Sequence, residues 1–118
     1  MKHSESQEQI AVIDWIRLQH PWLINHTIFI MNEQKRTPQM GARLNRLGRL
    51  RGCSDLFIAW PTTNHYGLVI EMKSKIGKPT SYQLEFLERM NKTGYFGCVC
   101  PGAENAISVI TAYLANKI

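Results

Sequence analysis

Two apolar runs rich in β-forming residues constrain the fold more than any other part of the chain. They occupy 52–60 and 66–73, and the polar segment 61–65 separates them. Two such runs joined by a short turn-forming segment predict a β-hairpin. In an antiparallel hairpin, the start of the first strand lies beside the end of the second.

Charged residues occupy the end of this hairpin that is far from the turn. Asp55 opens the first strand, and Glu71 and Lys73 close the second. Because side chains two apart on a strand point to the same face, Glu71 and Lys73 share a face. Each residue has an ordinary explanation, since Asp55 can cap a turn and an exposed Glu–Lys salt bridge contributes only about 0–1 kcal/mol. Gathered at the end of an apolar hairpin, however, they are costly to hold unless a cation or a reaction needs them.

The group therefore predicts a site for a hard divalent cation. Mg²⁺ typically binds one or two carboxylates together with water and substrate phosphate oxygens. Such a cation would polarise a phosphodiester and lower the pKa of a bound water. Lys73 would position or deprotonate that water, or neutralise developing negative charge. Gln83, in the first turn of the next predicted helix, would hold the water or Lys73 by hydrogen bonds.

Helices and further strands flank the hairpin. Apolar spacing and capping residues predict helices at 4–19, 38–47, 79–92 and 103–116, and short strands in the second half of 22–31 and at 95–100. Ile10, Leu84 and Ile107 are among the residues predicted to face inward. The order αβ(loop)ββαβα predicts an α/β fold, a small mixed sheet flanked by helices, in a single domain of residues 1–118.

Basic residues are concentrated in one segment. The chain has a net charge of +5 and a pI of about 9.3. Its segment 35–51 contains six basic residues and no acid. A solvated basic face without a partner is common, but the position directly before Asp55 favours nucleic acid. The predicted DNA-binding residues are Lys35, Arg36, Arg43, Arg46, Arg49, Arg51, Lys75 and Lys78.

Composition argues against several other classes of protein. No apolar run approaches the roughly 20 residues of a membrane span, and the N-terminus lacks the apolar centre of a signal peptide, so we expect an intracellular protein. The three cysteines show no CxxC spacing, which argues against disulfides and zinc. A nucleotide hydrolase is disfavoured because the chain lacks a GxxxxGK[ST] loop.

The pattern D-x(15)-E-x-K, after a basic loop and before a glutamine-bearing helix, resembles the PD-(D/E)xK nuclease superfamily. More narrowly, it resembles the stand-alone VRR-NUC (virus-type replication-repair nuclease) domain of phages and bacteria. The resemblance covers nearly the whole chain, in the segments 4–9, 48–55, 70–73, 81–83, 94–95 and 113–114 together with Asn32 and Arg36.

The resemblance implies a restriction-endonuclease-like core in which Asp55 and Glu71 bind Mg²⁺ or Mn²⁺ and Lys73 is the catalytic lysine. It also implies that Gln83 supports the site and that a glutamate of the first helix completes the metal ligands. Glu5 is favoured as that ligand because it lies four residues before Gln9, and Glu8 is the reserve. Acids in the first turn of a helix are, however, more often exposed and stabilised by the helix dipole.

One position departs from the family pattern. The family usually has proline before the aspartate, whereas this chain has Ser54. Proline there would stiffen the turn without contacting metal, so we expect altered loop rigidity and retained chemistry.

Stand-alone members are similar to Holliday-junction resolvases, which act as dimers on branched DNA. Two symmetric cuts by a chain with one site require a C2 dimer. The resemblance thus implies a homodimeric, structure-specific DNA endonuclease of replication, recombination or repair in the cytoplasm of a bacterium or a phage-infected cell. The alternative is a non-catalytic nucleic-acid-binding module that uses the basic segment 35–51.

Overall fold

The computed structural model describes residues 4–31 and 37–118. Within these residues a 3₁₀ turn, Leu23–His26, precedes the first strand. The helices and strands, in chain order, are α1 (Glu5–Gln19), β1 (Thr27–Phe29), α2 (Pro38–Arg46), β2 (Leu56–Ile58), β3 (Leu68–Lys73), α3 (Ser81–Lys92), β4 (Phe96–Pro101) and α4 (Ala103–Leu114). The predicted order of elements and the α/β class are confirmed.

A four-stranded sheet in the order β1-β2-β3-β4 occupies the centre of the fold. β2 pairs antiparallel with both β1 and β3, and β4 pairs parallel with β3. Leu56 is opposite Ile70, so the residue before β2, Asp55, comes beside Glu71. All six residues of β3 are buried, as expected for a central strand covered on both faces.

The hairpin has shorter strands than the sequence indicates. β2 ends at Ile58, two residues before Trp60, so nine residues connect it to β3. Within this connection Thr62 N–H donates to the His65 carbonyl oxygen, and Asn116 accepts a hydrogen bond from Thr63 N–H. The connection is therefore a loop of nine residues, longer than a tight hairpin turn, and it packs against the residues that follow α4.

Helices cover both faces of the sheet. On one face α1 and α4 bury Val12, Ile16 and Ile110 against Ile70 and Met72 of β3. On the other face α3 buries Phe86 and Leu87 against Val69. Because side chains alternate along β3, Glu71 and Lys73 lie on the same side of the strand as Val69, towards α3.

Capping side chains determine where the helices α1 and α3 begin. Ser4 and Gln7 form a capping box at α1, and Thr80 and Gln83 form another at α3. Pro79 consequently lies before the cap of α3, whereas the sequence places it in the first turn. Each box satisfies backbone N–H groups that a helix end leaves without intrahelical partners.

Three residues predicted to face inward are not part of the core. Ile10 is 59% exposed and Leu84 is 50% exposed, while Ile107 is only half-buried. In the first turn of α3 the buried residue is Gln83, and near the end of α4 it is Tyr113. Helical spacing identifies an apolar stripe, but it does not reveal which part of that stripe a neighbouring element covers.

The helix α2 stands apart from this core. Thr37 caps it, Pro38 occupies its first turn, and none of its residues is buried. Met40 in this helix and Leu47 at its C-cap are both exposed. The helix therefore exists as the sequence indicates, but its packing differs from that of α1, α3 and α4.

The cysteines are thiols, as the sequence suggests. Cys98 and Cys100 lie on the same side of β4 with their sulfur atoms 3.6 Å apart. Their hydrogen bond lowers the pKa of Cys98.

Among the helices that the structure describes, none has the length and apolar character needed to cross a bilayer.

Candidate active site

Three carboxylates converge at the end of the sheet where β2 starts and β3 ends. One carboxylate oxygen from each of Glu5, Asp55 and Glu71 lies within 4.8 Å of the other two. Asp55 and Glu71 are buried, and Glu5 is half-buried at the first turn of α1. Three elements distant in sequence thus supply the group.

The Lys73 ammonium lies within this carboxylate group. Its Nζ atom is 3.7 Å from Glu5 Oε2 and 3.8 Å from Glu71 Oε2, and the lysine is only 6% exposed. In so little solvent, ion pairs are screened far less than on a protein surface. Lys73 therefore offsets part of the mutual repulsion of the acids.

Hydrogen bonds to neighbouring elements orient two of the carboxylates. Met72 N–H donates to Asp55 Oδ2 at 2.8 Å, which joins the start of β2 to the end of β3. Gln83 Nε2 donates to Glu71 Oε2 at 3.2 Å. The sequence predicts that Gln83 holds the water or Lys73, and the structure adds a contact with Glu71.

Glu8 lies at a different place from Glu5. Its Oε2 accepts a hydrogen bond of 3.3 Å from Ala103 N–H, in the first turn of α4, where the helix dipole favours a negative charge. Gly102 has a φ of +91°, and a Cβ there would come 2.9 Å from the same oxygen. Glu8 therefore joins α1 to α4, and it does not belong to the group formed by Glu5, Asp55 and Glu71.

Ser54, where the family usually has proline, is fully buried. Among the described residues, no group forms a hydrogen bond with its hydroxyl. A buried hydroxyl without a partner is destabilising by about 1–3 kcal/mol. The Ser54 hydroxyl has therefore lost its contact with water without gaining a hydrogen bond from a described residue.

Most of the predicted DNA-binding residues that the structure describes are exposed. Arg43 and Arg46 are on α2, and Lys75 and Lys78 follow β3. Arg49 is half-buried and donates through Nε to Asn45 Oδ1 at 3.0 Å. Lys35 and Arg36 lie outside the described residues, as does Asn32.

Beside the carboxylates runs a cleft of about 450 Å³ between α1 and β1. Glu5 and Asp55 line one part of it, and Ile10, Phe29 and Met31 line another. The sequence pattern does not indicate that these apolar residues lie near the carboxylates. Ile10 has the helical spacing of a core residue, but in the structure it lines this cleft.

Tyr82 belongs to segment 81–83, which carries the family resemblance, but the sequence pattern gives it no role. It is exposed beside Gln83 at the N-terminus of α3, and the guanidinium carbon of Arg51 lies 4.1 Å from the centre of its ring. The contact depends on tertiary structure, since 30 residues separate the two positions. The sequence signals for it are its place in that segment and its position next to Gln83.

The donor set fits a hard divalent cation. Mg²⁺ takes oxygen ligands at 2.0–2.1 Å and Ca²⁺ at 2.3–2.6 Å, so two ligands on opposite sides of one ion are roughly 4–5 Å apart. The carboxylate oxygens of Glu5, Asp55 and Glu71 already lie within this span. A cation held by them would offset the repulsion that Lys73 only partly relieves.

Comparisons with known proteins identify the family and the fold. The family model described as "VRR-NUC domain" matches residues 3–104. A solved structure titled "VRR_NUC domain protein" is similar with a TM-score of 0.85 and 28% identity, and the alignment covers 98% of this chain and 91% of that one. No match was found among curated proteins. Since the family model spans most of the sequence, the chain belongs to the VRR-NUC domain family, whose domain implies a nuclease of the PD-(D/E)xK type.

Proposed function

We propose that this protein is a metal-dependent endodeoxyribonuclease that hydrolyses phosphodiester bonds through one nuclease domain spanning residues 1–118. The observation that carries the proposal is the convergence of Glu5, Asp55 and Glu71 around the ammonium of Lys73. In this proposal the three carboxylates hold Mg²⁺ or Mn²⁺, the hard cations that oxygen donors suit. Glu8 is occupied at the N-terminus of α4, which supports the choice of Glu5.

The bound cation would supply Lewis acidity at the phosphate and a lower pKa for the attacking water. The remaining work falls to the side chains. Lys73 positions that water and stabilises negative charge as it develops on the phosphate oxygens. Gln83 and the Met72 N–H act as positioning groups, because they hold Glu71 and Asp55 in orientation without reaching the phosphate.

Arginines and lysines supply the affinity for DNA in this proposal. Each such residue that neutralises a phosphate releases counterions, so binding weakens steeply with salt. We propose this role for the predicted residues of 35–51 and for Lys75 and Lys78. Basic side chains suit a polyanion, and in this proposal its scissile phosphate meets the acids through a cation.

Branched DNA is the proposed substrate and a homodimer the proposed assembly. The support is the membership of the VRR-NUC family together with symmetry. The described residues of one chain hold one such group of carboxylates, and two symmetric cuts in a four-way junction need two groups related by a two-fold axis.

The test is a cleavage panel of linear, nicked, flap and four-way DNA with Mg²⁺ or Mn²⁺. We expect cleavage by the wild type, strongest on branched DNA, and losses of about 10²-fold or more for Asp55→Ala, Glu71→Ala and Lys73→Ala. Lys92→Ala is the matched control, because Lys92 pairs with Glu88 on the exposed side of α3, far along the chain from the acids. It should cleave like the wild type.

Two results would count against the proposal. Failure to cut any substrate with either metal means that the protein is not a nuclease under these conditions and that the proposal is wrong. Salt-sensitive binding that is weakened by Arg43→Glu and Arg46→Glu but indifferent to Glu71→Ala and to metal would instead identify a non-catalytic nucleic-acid-binding module.

A further inference from the structure

Arg51 is stacked on Tyr82 next to the carboxylate group. The guanidinium carbon lies 4.1 Å from the centre of the tyrosine ring, within the range of a cation–π contact. Arg51 is exposed and the tyrosine is 45% exposed, so solvent reaches both side chains. The pair thus presents a charged and aromatic surface.

The backbone fixes this pair in place. Gly52 follows the arginine, and a Cβ at this position would lie 2.4 Å from the Tyr82 carbonyl oxygen. Its φ of +83° is also a conformation that favours glycine. The loop that carries Arg51 therefore docks directly on the first turn of α3, and any side chain at 52 would separate them.

Both partners of the pair connect to the site through short stretches of chain. Gln83, the residue after Tyr82, donates to Glu71. Asp55 lies four residues after Arg51 and accepts from Met72 N–H. The pair is consequently held relative to the carboxylates from two sides, by the loop that leads to one acid and by the helix that supports another.

A guanidinium stacked on an aromatic ring keeps its N–H donors available for hydrogen bonds. When the face of a guanidinium rests on a ring, its N–H donors point outward in the plane and match the two oxygens of a phosphate. A side chain already held in one orientation also loses less freedom when it binds. An arginine stacked in this way is a pre-organised phosphate donor.

We propose that the Arg51–Tyr82 pair binds a DNA backbone phosphate beside the scissile one and so positions the strand on the carboxylates. Arg51 makes the contact, and Tyr82 acts through it as a positioning residue. This inference rests on the proposed nuclease function. It assigns to Tyr82 a role that the charge pattern of the sequence does not indicate.

The experiment measures DNA affinity across a salt series and cleavage by the same variants. Binding is measured in the Lys73→Ala background with Mn²⁺, so that the DNA stays intact. We expect Arg51→Ala and Tyr82→Ala each to weaken binding about tenfold, and the log–log salt slope to fall by about 1 for the arginine variant. Tyr82→Phe keeps the ring and should bind like the wild type.

The double variant and a matched control separate this role from general damage. Because Tyr82 acts through Arg51, the double alanine variant should bind little worse than Arg51→Ala alone. Arg89, whose guanidinium carbon lies 5.9 Å from the Phe86 ring centre in the last turns of α3, provides the control. Arg89→Ala should leave affinity and salt slope unchanged.

The outcomes distinguish this inference from the proposed function. If the wild type cuts DNA but Arg51→Ala has the affinity and salt slope of the wild type, the inference is wrong and the nuclease proposal stands. Fully additive losses from Arg51→Ala and Tyr82→Ala would contradict the positioning role of the ring. A wild type that neither binds nor cuts DNA overturns both.

Discussion

Gln83 donates a hydrogen bond from Nε2 to Glu71 Oε2 at 3.2 Å, while its Oε1 accepts one from Thr80 N–H at 2.8 Å. A backbone N–H can only donate, so the amide has one orientation that satisfies both partners. One side chain therefore caps α3 and orients a carboxylate of the candidate site.

Gln83→Glu separates these two roles. Glutamate is an equally good capping-box residue, but it places a second carboxylate against Glu71. We expect α3 to remain helical by circular dichroism while the metal-free protein loses on the order of 1 kcal/mol of stability, which Mn²⁺ restores by binding between the acids. Thermal unfolding with EDTA and with Mn²⁺ measures this.

The matched variant for that experiment is Thr80→Ala. It removes the cap hydroxyl and should lower stability by about 1 kcal/mol with and without metal. A Gln83→Glu variant whose loss of stability were equally independent of Mn²⁺ would show that the residue acts only as a cap.

Glu5→Gln and Glu8→Gln distinguish the two glutamates of α1. At 100 times its Kd, Mn²⁺ should stabilise the wild type by about 2.7 kcal/mol, a rise in Tm of roughly 10 °C. Glu5→Gln should weaken Mn²⁺ binding about tenfold and so remove about 1.4 kcal/mol of this effect. Glu8→Gln should keep the full effect of Mn²⁺ but lower metal-free stability by about 0.5 kcal/mol, because a charge at the N-terminus of α4 is lost.

Titration calorimetry with Mn²⁺ gives the same comparison without unfolding. The assignment of Glu5 as a ligand would be refuted if Glu8→Gln, and not Glu5→Gln, weakened binding of the ion.

Ser54→Ala should stabilise the protein. Among the described residues the buried hydroxyl has no hydrogen-bond partner, so removal of the oxygen relieves a desolvation penalty of about 1 kcal/mol. Cleavage should be unchanged, since the side chain is not among the carboxylates and amine of the candidate site. Urea unfolding measures the stability, and a destabilised variant would mean that the hydroxyl holds an ordered water.

Tyr113 predicts a pH dependence at the alkaline end. Burial raises the pKa of its phenol above 10.0, with a smaller opposing effect from a hydrogen bond with Thr62. Because the folded pKa is the higher one, this contribution to stability is complete below pH 10 and is lost as the pH rises through the folded pKa. The wild type should therefore lose stability above pH 10 more steeply than Tyr113→Phe.

Near neutral pH the same substitution should lower stability by about 1 kcal/mol, because the phenol donates to the Trp60 carbonyl oxygen at 2.8 Å. Urea unfolding of both proteins between pH 7 and 11 gives the difference directly. Other titrating groups are common to both, so a difference that stays constant with pH would contradict the prediction.

The neighbourhood of Asp55, Glu71 and Lys73 could be predicted because it depends only on local rules. The two-residue period of a strand and the antiparallel pairing of a hairpin are enough to bring these positions together. Local rules do not decide whether Glu5 or Glu8 lies with these residues. That choice depends on how α1 is rotated about its axis against β3 and α4, which contacts distant in sequence determine.

The partners of the site residues were equally hard to predict. Gln83 has a sequence position close to Lys73, but its contact with Glu71 follows from the way the capping box orients the amide. The stacking of Arg51 on Tyr82 requires the positive φ of Gly52 and its close approach to α3, and neither appears in apolar periodicity. Local pattern predicts elements, whereas these contacts arise from packing.

The exposure of α2 has a consequence for how such a protein can change over time. None of its residues is buried, and surface substitutions usually alter stability by no more than about 0.5 kcal/mol. Arg43 and Arg46 therefore belong to a part of the chain where substitutions are nearly neutral for folding. The buried carboxylates of Asp55 and Glu71 have no such freedom. Under the proposed function, substrate preference can thus diverge among relatives while the carboxylate group stays the same.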